Sequence, residues 1–265
     1  MTPAQPERRR LAFVEPAALA GVMVHDVAVF RRYWLSTTFS AVVEPTIYLL
    51  AFGFGFGSMV AVVNGYRYLD FLGTGVVGTA VLFTSAFAGM FQTFVRRTFQ
   101  HTYDAMLAAP VDTHELVTGE ALWIGLKSAV YGCTPLLVAL GFGLRPSPWA
   151  LLTPLIAFLT GLGFGLFGIW MSALVPNIDS FNYIISAVLT PLLLVAGTFF
   201  PIDTLPTWAR TASLVNPLYH CVELVRDTVF DRLAWNDLGH VFALVVFAVA
   251  MWVGAVVFLR RKLID

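Results

Sequence analysis

From Phe71 to Val95 the chain runs without a single charged residue. A run of that length constrains the fold more than any other feature, because about 18 or more apolar residues in succession read as a membrane-crossing helix. Lipid offers no partner for a bare N–H or C=O, so helices are the expected spanning form. Composition agrees: of 265 residues, 58% are hydrophobic and only 12% charged, against about half and a quarter in soluble domains. The formal net charge is +0, and no basic surface points to nucleic acid. Two cysteines make no disulfide framework, and Cys133 and Cys221 are expected to be unpaired.

Six spans are predicted, over about Ser36–Gly57, Phe71–Val95, Leu116–Gly143, Trp149–Val175, Phe181–Phe200 and Leu238–Leu259. The fold class is therefore an all-α integral membrane protein. A secretory leader is not expected: Arg8, Arg9 and Arg10 precede an apolar stretch that could end at Ala20, but Glu15 and Pro16 cut that stretch short. Residues 1–20 read instead as a flexible basic tail. With the N-terminus inside, the inner segments hold Arg8, Arg9, Arg10, Arg31, Arg32, Arg96, Arg97, Arg260, Arg261 and Lys262. The outer ones hold Arg67, Arg145, Arg210, Arg226 and Arg232. That ratio of ten to five places both termini in the cytoplasm.

Glycine-rich runs at Ala51–Gly57 and Gly161–Gly168 lie inside apolar spans and read as close helix packing. Gly125–Ser128 (GLKS) lacks the Gly directly before Lys that a phosphate loop needs, so no nucleotide site is expected in this chain. His220 adjoins Cys221 without a third ligand at metal spacing. No Ser-His-Asp, paired-carboxylate or Cys-His set assembles at one depth, so no catalytic residue and no covalent chemistry are expected.

One polar island interrupts the apolar pattern. Phe99, Tyr103, Met106 and Leu107 fall on one helical face, and Pro110 ends the pattern. Asp112 and Glu115 are spaced for a reciprocal cap on the next helix. After Arg97 the polar face carries Asp104 and no basic residue, which favours a protein partner over a lipid surface. Upstream, Val22, Met23, Val27, Phe30 and Trp34 share a face with Arg31 and Arg32 off it, and Asp26 interrupts that face. Within the spans, Glu44, Glu120 and Lys127 are the ionisable groups; Lys127 is a candidate partner of Glu44 across helices. In the outer segment, Pro201 to Asp237, Asn216-Pro217 opens a helix whose apolar stripe is Leu218, Val222, Val225 and Val229. Glu223, Arg226 and Asp227 are expected on its other side.

Tyr103–Glu120 (YDAMLAAPVDTHELVTGE) resembles the inner-loop motif of ABC-2 type transporter permeases, in their nodulation protein J and daunorubicin-permease branches. Gly197–Asp227 (GTFFPIDTLPTWARTASLVNPLYHCVELVRD) resembles the segment before that family's last span, and Glu44–Gly57 fits its first. The resemblance covers about Val22 to Leu263. It implies a type V exporter membrane domain that dimerises, homodimer most simply, and works with two copies of an ABC ATPase. ATP and Mg would sit on that partner and no cofactor on this chain. It also implies a coupling helix at about 99–109, with Phe99, Tyr103, Asp104, Met106, Leu107 and Pro110. It makes residues 21–35 an interface helix carrying Phe30, Arg31 and Arg32. The six-span domain would occupy 36–265, with a re-entrant outer segment at about 201–235 containing Pro201, Trp208, Pro217, Glu223 and Arg226. Location would be the bacterial inner membrane and the substrate an amphipathic or lipid-like molecule, lipo-oligosaccharide, glycolipid or hydrophobic drug. Two other classes share some of these features. An ion-coupled secondary transporter would need internal repeats and more intramembrane charge. A non-transporting anchor for a cytoplasmic complex would not need the Pro-rich outer segment.

Overall fold

The computed structural model describes residues 15–60 and 62–264. Arg8, Arg9 and Arg10 of the expected basic tail lie outside the described residues, whereas Pro16 to Ala20 are already helical. Helix α1 is continuous over Pro16–Gly55. The boundary expected near Leu35, between an interface helix and a first span, is therefore not a break. No glycine or proline falls between Val22 and Glu44 to end the helix. Proline occupies its first turn, where the missing N–H costs nothing. A second proline, Pro45, sits buried inside it.

A two-residue hairpin follows, Val62–Val63 (β1) against Tyr66–Arg67 (β2), in the register Val62 opposite Arg67. Asn64 and Gly65 both take positive φ, 51° and 84°, which is what a two-residue turn between twisted strands demands. Helix α2 (Tyr68–Phe87) passes through a π turn (Ala88–Gln92) into α3 (Thr93–Thr98), making one rod. After the short α4 (Thr102–Leu107), α5 (Thr113–Tyr131) and α6 (Thr134–Gly141) form a second rod with a turn at Gly132. Helix α7 spans Thr153–Leu174, and α12 spans Asp237–Ile264. Among the described residues, five helices are long and apolar enough to cross a membrane: Pro16–Ser58, Tyr68–Thr98, Thr113–Gly141, Pro148–Leu174 and Asp237–Leu263.

The predicted span Phe181–Phe200 is shorter than expected. The apolar helix there covers Ile178–Leu194, built from α8 (Phe181–Ile184), a second π turn (Ile185–Leu189) and α9 (Thr190–Leu194). It ends because the chain turns at Val195 and then takes a left-handed conformation at Gly197, φ 76°. Beyond it lie α10 (Thr207–Ser213) and α11 (Pro217–Val229).

The α2–α3 rod forms the centre of the bundle and packs on α1, α5, α6, α7 and α11. Leu72 and Val76 meet Leu49 and Leu224 at one end of it. At the other end Phe94 and Leu82 meet Phe164 and Phe181. A third cluster joins Val22, Tyr103, Leu116, Ile169 and Leu259. Large apolar side chains stay exposed on α1 (Phe39, Ile47), α7 (Leu155) and α12 (Phe242, Val249), as a lipid-facing surface requires.

Lipid is as apolar as leucine, so contact through small residues holds such helices together. Where the π turn crosses α7, a Cβ at Gly89 would lie 2.3 Å from the Gly165 carbonyl oxygen, and one at Gly168 2.6 Å from that of Ala86. The second glycine-rich run packs as expected. The first packs tightly at Gly53 alone, since Gly55 has no neighbour within 4 Å and Gly57 meets just the Tyr68 ring at 3.9 Å. Gly89→Val should force the crossing apart and cost roughly 1–3 kcal/mol, read as a lower unfolding midpoint in detergent; Gly55→Ala should leave that midpoint unchanged.

Candidate functional site

Asp26 of α1, Arg96 of α3 and Glu120 of α5 come together inside the bundle. The Arg96 Nη1 lies 2.7 Å from Asp26 Oδ1 and 3.2 Å from Glu120 Oε1. Side-chain exposure is 12% for Arg96, 0% for Asp26 and 3% for Glu120. The Thr93 hydroxyl donates to Glu120 Oε1 at 3.0 Å, and the Tyr103 hydroxyl donates to Glu120 Oε2. One cation thus bridges two carboxylates; on Glu120 the Thr93 hydroxyl shares Oε1 with Arg96 and the Tyr103 hydroxyl takes Oε2, whereas the buried Asp26 carboxylate rests on its ion pair with Arg96. Burial and the adjacent Glu120 push the Tyr103 phenol well above its ordinary pKa, so it remains a donor. Asp26, an interruption in the sequence pattern, extends the buried line Ala18–Val22–Asp26 on α1 and is the point where Arg96 docks.

Tyr103 carries this network into α4. The helix is shorter than the expected 99–109. His101 at φ 51° sets its start, and its ring Nδ1 lies 3.0 Å from Asp104 Oδ2. Phe99 therefore stands outside the helix, exposed, with its ring edge-on to Phe94. Tyr103 points inward, Met106 and Leu107 are half-buried, and Asp104, with 64% of its side chain exposed, faces out with Ala105 and Pro110. The reciprocal cap is present: the Asp112 N–H donates to Glu115 Oε2 at 2.9 Å. The other oxygen, Oε1, accepts from the Glu15 N–H at 2.7 Å, so α1 and α5 begin on one carboxylate.

Glu44 and Lys127 make no ion pair with each other, contrary to expectation. They line one cavity of about 310 Å³ between α1, α2 and α5, with Glu44 exposed at its rim. A second cavity of about 350 Å³ adjoins it and is lined by Asp26, Phe30, Arg96, Trp123 and Lys127. Phe30 meets Trp123 edge-on at 5.5 Å between ring centres, whereas Arg31 and Arg32 are exposed.

At the opposite end of the α2–α3 rod, α11 begins as expected. The Asn216 side chain accepts from the Leu218 N–H at 2.9 Å, Pro217 follows, and Leu218, Val222, Val225 and Val229 are all buried. Arg226 is not on the solvent side. It is buried against the Phe71 ring, 4.0 Å from its centre, and donates to Glu223 Oε1 at 2.7 Å and Gly197 O at 3.0 Å. Its planar guanidinium can stack and donate at once, which lets the charge enter an apolar setting. Pro201 precedes a short 3-10 turn, and Trp208 on α10 is exposed.

Two histidines that are distant in the sequence also meet: Nδ1 of His220 lies 2.6 Å from Nδ1 of His240. The His220 Nε2–H donates to Leu214 O at 3.1 Å, so the neutral ring accepts at Nδ1 from His240. Burial holds the His220 pKa below its ordinary value. No cluster of three or more metal-binding side chains occurs among the described residues. Sequence spacing could not have paired Asp26 with Arg96 or His220 with His240, because neither pair shares an element.

A bundle of long apolar helices with a buried ion network leading to a short surface helix is the frame of a membrane transport subunit. Residues 22–230 match the family model described as ABC-2 type transporter, and the chain belongs to that family. Among its relatives, a nodulation protein J of Rhizobium leguminosarum bv. trifolii is 34% identical, the match covering 93% of this chain and 97% of the relative. One from Sinorhizobium fredii is 31% identical over 90% and 94%. The inner membrane transport permease YadH of Escherichia coli K12 is 27% identical over 89% and 91%.

Proposed function

We propose that this chain is the permease subunit of an ATP-driven exporter, that it works as a homodimer, and that a separate pair of ABC ATPase subunits powers it. The observation that carries the reading is the path from α4 inward. Asp104 faces out from the same short helix whose Tyr103 is bonded to Glu120 and, through it, to Arg96 and Asp26. A push on that helix is thereby transmitted to α1, α3 and α5 at once. ATP and Mg belong to the partner, since GLKS lies within α5, with Gly125 and Ser128 packed on α7.

In this reading Ile178–Leu194, about 26 Å long at 1.5 Å per residue, is the sixth crossing, which puts both termini in the cytoplasm. The α10–α11 pair is then the re-entrant outer segment. The name of the YadH relative supports the bacterial inner membrane as its place. Exposed apolar helix faces suit an amphipathic substrate arriving from the inner leaflet.

Asp104→Lys and Met106→Pro are the direct tests. Each is expected to weaken ATPase association or stimulation about tenfold or more, equivalent to about 1.4 kcal/mol, while the chain stays inserted and monodisperse. Unchanged ATP-dependent transport and ATPase stimulation in both variants would refute the coupling role of α4. Transport that follows a proton gradient and ignores ATP would favour the ion-coupled class instead.

A further inference from the structure

We infer that the groove between α1, the α2–α3 rod and α5 binds an amphiphile with an anionic headgroup, held at Lys127. The inference deepens the permease reading and rests on it only in treating that amphiphile as substrate. The two cavities share Thr37, Phe91, Gln92 and Lys127, so Lys127 stands at their junction. Its relative exposure is 9%, and among the described residues it has no hydrogen bond and no ion pair; the Trp123 ring lies 6.0 Å away. Asp26 and Glu120 lie 2.7 and 3.2 Å from Arg96, and neither is within ion-pair distance of Lys127.

An ammonium donor within an apolar wall fits an oxyanion. A buried cation in a membrane is costly until such a counter-charge arrives. Ala80, Phe83 and Phe87 continue the wall away from Lys127 and supply a surface for a hydrocarbon tail. Glu44 at the rim makes no ion pair among the described residues and disfavours a headgroup of high negative charge. The occupant is therefore a tailed molecule with a small acidic head, not a free anion.

The test uses the intact chain in phosphatidylcholine nanodiscs and two photoactivatable lipids with matched tails, a phosphatidic acid and a phosphatidylcholine. The acidic probe should label the Phe83–Phe91 peptide about tenfold more than the zwitterionic one, the effect of one charge-assisted contact. Lys127→Gln should abolish that preference and Lys127→Arg retain it. Inorganic phosphate should not compete. Equal labelling by the two probes, a preference that survives Lys127→Gln, or full competition by inorganic phosphate would overturn the inference. Labelling needs no ATPase. Selective labelling in a chain without ATP-driven transport would sink only the permease reading, and indifferent labelling in a transport-competent chain would sink only this site.

Discussion

Arg96→Met is expected to lower the unfolding free energy of the detergent-solubilised protein by about 3–5 kcal/mol. The loss comes less from the contacts removed than from what remains. Asp26 and Glu120 are left facing one another inside the bundle, where both are almost fully buried. A triple change, Arg96→Met with Asp26→Asn and Glu120→Gln, should recover part of the stability, because no two carboxylates are left to repel, while Lys127 stays behind as a buried cation. It should not recover coupling, since the bond from Tyr103 to an ionised Glu120 is gone. Thermal unfolding and ATPase stimulation measured on the same preparations separate the two roles. A single Arg96→Met variant as stable as the parent would mean that the three charges are not a unit.

The second large effect is expected at Arg226. Arg226→Ala should cost about 3–5 kcal/mol, and Arg226→Lys should fail to rescue most of it. Lysine lacks the planar fork that lies on Phe71 while donating to Glu223 and to the Gly197 carbonyl. Hydrogen exchange should locate the damage: amides of α11 lose protection first, and those of α7 last. A lysine variant with full stability would show that charge alone suffices there.

Much of the architecture was legible. Predominantly apolar runs long enough to cross a bilayer marked the long helices, and Asn216-Pro217 and Asp112–Glu115 marked helix starts by side-chain chemistry that acts within a few residues. The Leu218–Val222–Val225–Val229 stripe held for the same reason. Asn64-Gly65 was a readable hairpin signal that the apolar runs on either side obscured. What pattern could not reach was charge at long range. Arg226 looked solvent-facing by spacing, since nothing local reveals that Phe71 offers it a ring. Asp26 looked like a flaw because its partner lies on another helix. The start of α4 was misplaced because a left-handed His101 is a tertiary choice, secured by Asp104, that apolar spacing does not record.

Helix α1 has a mechanical consequence. Its proline at position 45 removes one backbone bond from an otherwise unbroken helix, so bending is easiest there. That point divides the helix into a long arm of roughly 44 Å and a short one of roughly 15 Å, at 1.5 Å per residue. The long arm starts at the carboxylate that also caps α5. Near the short arm's far end, Phe52 leans on Phe199. The fulcrum itself lines the cavity that holds Lys127, between Ala41 and Tyr48. Any bend at that wall would change the width of the groove, because the residue that bends is one of those that line it.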